Sequence, residues 1–144
     1  MPQRETIAER HAINQQTIEE FRANSGKVGG RYADAQLLLL TTTGAKSGQP
    51  RTLPLGYTMD GDGVVIIASR GGGQHNPDWY HNLLAEPHVT VELGIETFQA
   101  RAREAVGEER ERLYNERATP GSRLAGYQTK TMRTIPIIVL ERIL

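Results

Sequence analysis

The apolar positions of this chain of 144 residues change their spacing near residue 35. Over Thr6–Asn24 they are sparse and helical: Ile7, Ile18 and Phe21 share one side, His11 and Asn14 interrupt the stripe, and Ile13 lies elsewhere. The spacing predicts a helix with a thin apolar face that ends near Ser25-Gly26. From Ala35 the signal becomes that of strands. Gln36–Thr43 is a nearly continuous apolar run, as in a strand buried on both faces. Leu53, Leu55, Tyr57 and Met59 alternate with polar or small residues and predict one half-buried strand. Asp60-Gly-Asp-Gly63 turns the chain into Val64–Ala68. Val89, Val91 and Leu93 alternate before a turn at Gly94, Phe98, Ala100 and Ala102 after it, and Ile135–Leu140 is the last strand.

Two further helices interrupt the strands. Asn76-Pro-Asp-Trp79 reads as an Asn cap, a proline at the first helical position and an acid in the first turn, with Pro87 as the stop. Glu108–Ala118 is the second, and Ser122–Lys130 adds a turn or two. Six strands joined largely by hairpins predict a mainly β (α+β) domain, a six-stranded antiparallel barrel with an N-terminal helix and short inserted helices. There is no β-α-β alternation and no G-x-G-x-x-G, which opposes a nicotinamide-binding Rossmann domain. The expected division is a helix and linker over residues 1–34 and a barrel over residues 35–144.

Composition narrows the function. Seventeen Lys and Arg balance seventeen Asp and Glu, so no global field recruits nucleic acid and any basic site is local. With no cysteine, disulfides, thiolate catalysis and zinc–thiolate sites drop out. No apolar run reaches the ~18 residues of a membrane span, and no signal-peptide pattern opens the chain. The expectation is a cytoplasmic protein, with the N-terminal helix as the candidate for weak contact with the inner face of the membrane. His11, His75, His81 and His88 contain no i,i+4 pair, so no metal site is expected.

The chemistry concentrates in Thr41-Thr-Thr-Gly-Ala-Lys-Ser-Gly-Gln-Pro-Arg51. Gly44 and Gly48 let backbone N–H groups turn to one side, while Lys46, Ser47 and Arg51 add an ammonium, a hydroxyl and a guanidinium fork. That set suits phosphate or carboxylate. It is not a nucleotide P-loop, because Ala45 and Leu40 stand where that motif places glycines. A second cluster, Ala68-Ser-Arg-Gly-Gly-Gly73, follows a strand and precedes the helix start at Asn76.

In order, the Leu37–Arg51 run, Ala68-Ser-Arg-Gly-Gly, Asn76-Pro-Asp-Trp-Tyr-His-Asn-Leu83 and Arg133-Thr-Ile-Pro136 resemble the deazaflavin-dependent nitroreductase family from about Ala35 to the C-terminus. The resemblance implies a split β-barrel of the FMN-binding kind, common in actinobacteria, that binds coenzyme F420, an 8-hydroxy-5-deazaflavin with a phospholactate and oligoglutamate tail. It implies that Lys46, Ser47 and Arg51 hold the phosphate region and that Pro54 and Leu55 line the ring pocket. Ala68, Ser69, Arg70 and Gly71 would pass beneath ring or tail, and Asp78, Trp79, Tyr80 and Asn82 would close the site. The same correspondence adds Ala45, Thr52, Gly56, Ile67, His81 and Leu124 to the cofactor site; protonation after hydride addition needs one donor, and Tyr127, Ser69 or water could serve. Members known for nitroimidazole reduction carry several tyrosines before Arg-Thr-Ile-Pro; here Tyr127 alone remains, with Gly121, Leu124 and Lys130 in place of aromatics. The function implied is hydride transfer from F420H2 to a small electron-poor acceptor: a quinone, an enone or lactone, or a nitroaromatic. An FMN-binding reductase on the same barrel and a non-catalytic deazaflavin or lipid carrier remain open beside it.

Overall fold

The computed structural model describes residues 6–29, 36–69 and 75–143. Helix α1 (Ile7–Ala23) is capped by the Thr6 hydroxyl, which accepts from the Glu9 N–H at 3.0 Å. Its other end closes through Ser25 at φ 56° and a bond from the Gly26 N–H to the Phe21 carbonyl. Strands follow as β1 (Leu37–Thr43), β2 (Pro50–Gly56), β3 (Thr58–Asp60) and β4 (Gly63–Ile67). After α2 (Asp78–Ala85) come β5 (His88–Leu93), β6 (Glu96–Glu104), α3 (Gly107–Arg117), α4 (Arg123–Thr129) and β7 (Ile137–Arg142).

All pairings are antiparallel, and the strands form one sheet in the order β2-β1-β5-β6-β7-β4-β3. The expected count of six becomes seven because the strand predicted over Leu53–Met59 breaks at Tyr57. Its first half pairs with β1 and its second with β4, at opposite edges of the sheet. The edges are joined by Tyr57 alone, so the sheet curls into a half-barrel. Pro50 and Pro54 fit this placement, since β2 is an edge strand and tolerates residues without an N–H.

The concave side holds the main core: Leu38, Leu40, Val64, Ile66, Trp79, Leu83, Val89, Val91, Ile138 and Leu140, with Leu53, Leu55 and Tyr57 against it. On the convex side Ile18 and Phe21 of α1 bury Leu37 and Leu39, while Leu113 of α3 covers Val65, Ile137 and Val139. The four-leucine run is thus buried on both faces, as its pattern predicts. Between those helices the convex face is polar; Thr41 and Thr52 share a 2.7 Å hydrogen bond, and the Gln99 amide donates to Thr90 at 3.0 Å.

Two boundaries move. Asn76 does not cap α2; Pro77 occupies the cap position without a side-chain bond, and the Asn76 oxygen accepts from Arg133 instead. The last strand starts at Ile137 rather than Ile135. The thin stripe of α1 works through its C-terminal half alone: Phe21 is 2% exposed and Ile7 77% exposed. The Arg22 guanidinium seals that half with a bidentate pair to Glu92 at 2.9 and 2.8 Å. Gly26 lies so close to the β5–β6 turn that a Cβ there would stand 2.8 Å from the Gly94 Cα.

Phe21→Ala should therefore cost about 3–5 kcal/mol, whereas Ile7→Ala should change stability by less than about 0.5 kcal/mol. Urea unfolding of the two variants checks the contrast.

Candidate functional site

The loop from β1 to β2 is a compact turn closed on itself. The Gly44 N–H donates to the Gln49 carbonyl at 2.8 Å, the Gly48 N–H to the Gly44 carbonyl at 2.9 Å, and the Gln49 N–H to the Ser47 hydroxyl at 3.2 Å. Gly48 has φ 70°. A Cβ on Gly44 would lie 2.5 Å from the Ser47 Oγ, so that hydroxyl occupies space only glycine leaves open. The Ala45 N–H donates across to the Asn82 Oδ1 of α2 at 3.0 Å. Among the described residues this leaves the N–H groups of Lys46 and Ser47 as the loop's unspent donors.

Lys46 and Arg51 are exposed and, among the described residues, pair with no carboxylate. Five other arginines do: Arg22 with Glu92, Arg103 with Glu109 and Glu141, Arg112 with Asp60 and Glu116, Arg117 with Glu116, and Arg142 with Glu96. Two cations without a carboxylate partner, a hydroxyl and two unspent N–H groups, all on this turn or the first residues of β2, are a set that can bond an anion.

Helix α2 holds three places together. Asn82 bonds Ala45 and donates to the buried Thr42 hydroxyl at 3.1 Å. Tyr80, on the other side of the helix, donates a short hydrogen bond to Glu104 at the end of β6, and His81 packs edge-on against its ring. Before the first turn, the Arg133 guanidinium bonds Asn76 at 2.6 Å and reaches the carbonyls of Ala68 and Ser69 at 3.2 and 2.7 Å. Arg133 thereby ties the end of β4 to the start of α2.

Beyond the Thr58–Val65 pair, β2 and β4 part. Continuing the β3–β4 register would set Gly56 opposite Ile67 and Pro54 opposite Ser69, but β2 pairs with β1 and β4 with β7. The result is a wedge walled by two strand edges whose backbone groups have no ladder partner on that side. Its apex is Tyr57.

The structure brings Ala45, Lys46, Ser47, Arg51 and Asn82 together. It sets Gly56 and Ile67 at the wedge, with Ala68 buried and Ser69 half-buried at the end of β4. Thr52 and Pro54 lie on the convex side, opposite Arg51 and Leu55, so one face cannot hold all four. Trp79 is in the main core, which favours packing over a ligand-facing role, and Asp78 and His81 are exposed. On α4 Leu124 is buried and Tyr127 half-buried, its ring centroid 5.9 Å from the Lys130 ammonium. Arg70 and Gly71 lie outside the described residues. Sequence reasoning missed Thr42, Glu104 and the strut role of Arg133; only Arg133 carried a signal, as the first residue of Arg-Thr-Ile-Pro. Among the described residues no group of three His, Asp or Glu could hold a metal ion, and no helix is long and apolar enough to cross a membrane.

The curled antiparallel half-barrel and its cation-bearing turn do not by themselves name a reaction; comparison with known proteins supplies the class, an F420-dependent oxidoreductase. The sequence model of the F420H2-dependent quinone reductase family matches residues 13–142, and the chain belongs to that family. It is an F420H2-dependent oxidoreductase, and coenzyme F420 is its cofactor. An F420H2-dependent quinone reductase of Mycobacterium tuberculosis (strain ATCC 25618 / H37Rv) is 40% identical over 128 residues, 85% of each chain. A solved F420H2-dependent reductase superposes with a TM-score of 0.66 at 40% identity, covering 74% of this chain and 94% of that one. Another solved chain, described as a domain-swapped dimer, gives a TM-score of 0.69 at 36% identity over 88% and 96%. The donor set suits such a cofactor: cations without a carboxylate partner and unspent N–H groups, as found among the described residues of this turn, are the groups that a tail of phosphate and carboxylates would need.

Burial, and then the bond to Glu104, push the Tyr80 phenol up to about 12. The folded value lies above the ordinary ~10 of an unfolded tyrosine, so this bond stabilises fully below about pH 10 and is lost as pH rises through about 12. A phenolate absorbance titration should show a component with that midpoint, and Tyr80→Phe should delete it.

Proposed function

We propose that this chain reduces a quinone-class acceptor, holding the cofactor tail on the β1–β2 turn and its ring in the wedge between β2 and β4. One observation carries the reading: Lys46 and Arg51 stand uncompensated beside the two unspent N–H groups of the same turn. On this reading the curled sheet is a split β-barrel of the FMN-binding kind. Residues 35–144 form the cofactor-binding unit, and the first 34 supply an added helix and linker.

When bound, the reduced deazaflavin supplies a hydride in a two-electron transfer. The chain's own residues do the rest. Lys46 and Arg51 neutralise phosphate and carboxylate, Arg51 with a fork that can bond two oxygens at once. Gly56 and Ile67 bound the wedge and Tyr57 stands at its apex. Converting a quinone to a hydroquinone takes one hydride and one proton, and the Tyr127 hydroxyl on α4 is the donor we assign, with Ser69 as the second candidate. Glycine at 121, leucine at 124 and lysine at 130 leave a wider mouth than a row of tyrosines would, which favours substituted quinones over flat nitroimidazoles.

Fluorescence titration with F420 and with FMN tests the cofactor assignment on the intact protein, and tighter FMN binding would overturn it. Charge-assisted bonds contribute about 1.5–3 kcal/mol, so Arg51→Ala should weaken F420 binding by roughly tenfold or more, with a shallower salt dependence. Unchanged affinity and salt slope would make Arg51 a solvated surface charge. Tyr127→Phe keeps the ring and removes the hydroxyl. It should lower quinone turnover while F420 affinity stays within about twofold, and full turnover would pass the role to Ser69 or to water.

A further inference from the structure

Asn82 stands among the cofactor-binding candidates, yet both ends of its carboxamide are already engaged within the protein. The Ala45 N–H can only donate, so the oxygen must face it; the nitrogen then faces the Thr42 hydroxyl at 3.1 Å. Thr42 is 2% exposed and sits on β1 directly before the turn, in register with Arg51. One side chain from α2 therefore grips the anion-binding turn at its entry strand and at the N–H next to the two unspent donors. The same helix is fixed by Tyr80 to Glu104 and, through Asn76, by Arg133 to the end of β4.

We propose that Asn82 is a positioning residue: it binds no ligand itself but holds the Gly44–Gly48 turn in the conformation that presents Lys46, Ser47 and the Arg51 fork to the cofactor tail. This rests on the assignment of the tail to that turn. Without Asn82, the Ala45 N–H loses its acceptor and can swing toward solvent, and the turn that carries the two donors beside it loses its tether to α2. The turn then has to be ordered by the ligand at the moment of binding, which weakens affinity for the tail and leaves the ring contacts alone.

The test compares two ligands on the full chain: F420, and the tail-free 8-hydroxy-5-deazariboflavin. Asn82→Ala should weaken F420 by about tenfold while affinity for the tail-free ligand is held within about twofold, and a double-mutant cycle with Lys46→Ala should show the two losses to be less than additive. A merely structural role would weaken both ligands alike and give additive losses, which would overturn the proposal. So would F420 affinity unchanged in Asn82→Ala alongside a clear loss in Lys46→Ala. If Lys46→Ala itself leaves F420 binding unaltered, the assignment of the tail fails and the proposal falls with it. Asn82→Gln, which keeps both groups but displaces them by one methylene, gives the same comparison should the alanine variant not fold, and the same selective loss is expected.

Discussion

The geometry of this protein depends on one residue that has to join the two edges of a sheet. Seven strands spaced about 4.8 Å apart would hold the edges of a flat sheet nearly 30 Å apart. The two residue steps from Gly56 to Thr58 span at most about 7 Å. Strands β2 and β3 can be the two edges and also be joined through Tyr57 only if the sheet curls until those edges adjoin. The curl creates the concave core, and the parting of β2 from β4 just beyond Tyr57 creates the wedge. A second residue between the strands would extend the reach only to about 11 Å and still require the curl, whereas two strands paired as a continuous hairpin would close the wedge.

Helix α2 converts that architecture into a site. Its apolar positions, Trp79 and Leu83, are buried in the main core, so its orientation is set by packing. The polar positions around them point to different neighbours: Asn82 to the turn after β1, Tyr80 to the end of β6, and Asn76 before it to Arg133. The distribution of charge follows the same economy. Carboxylates are placed against the arginines that staple helices to strands, and among the described residues none is placed against Lys46 or Arg51. A stapling arginine stabilises by pairing, whereas a cation kept for a ligand forgoes that pairing in the free protein.

Much of this was legible locally. The unbroken Leu37–Leu40 run announced a strand buried on both faces, and α1 over Leu37 and Leu39 supplies the second cover. The turn at Gly61, the break at Pro87 and the anion chemistry of Gly44–Arg51 followed from residue type and spacing. The misreadings share a cause. Alternation over Leu53–Met59 looks the same whether one strand pairs with one neighbour or its halves pair with different ones, because side-chain period records burial and not partners. Asn76 satisfies every local rule for a cap, yet a guanidinium 57 residues away claims its oxygen. Trp79 is a different case: residue type alone allows it to cover a planar ligand or to pack, packing being the commoner, and only the sheet beneath the helix puts it in the main core.

By itself the sequence determined which segments are strands, where they turn, that net charge is balanced, and that one glycine-rich turn offers cations to an anion; each of these is written in neighbouring residues and their period. The tertiary structure decided which strands are edges, that the edges meet at Tyr57, that Thr52 and Pro54 lie on the face opposite Arg51 and Leu55, and that Lys46 and Arg51 keep their charge uncompensated. Those facts depend on partners tens of residues apart. Local propensity carries no information about which distant carboxylate, carbonyl or strand edge packing will bring near, so they exist only once the sheet has curled.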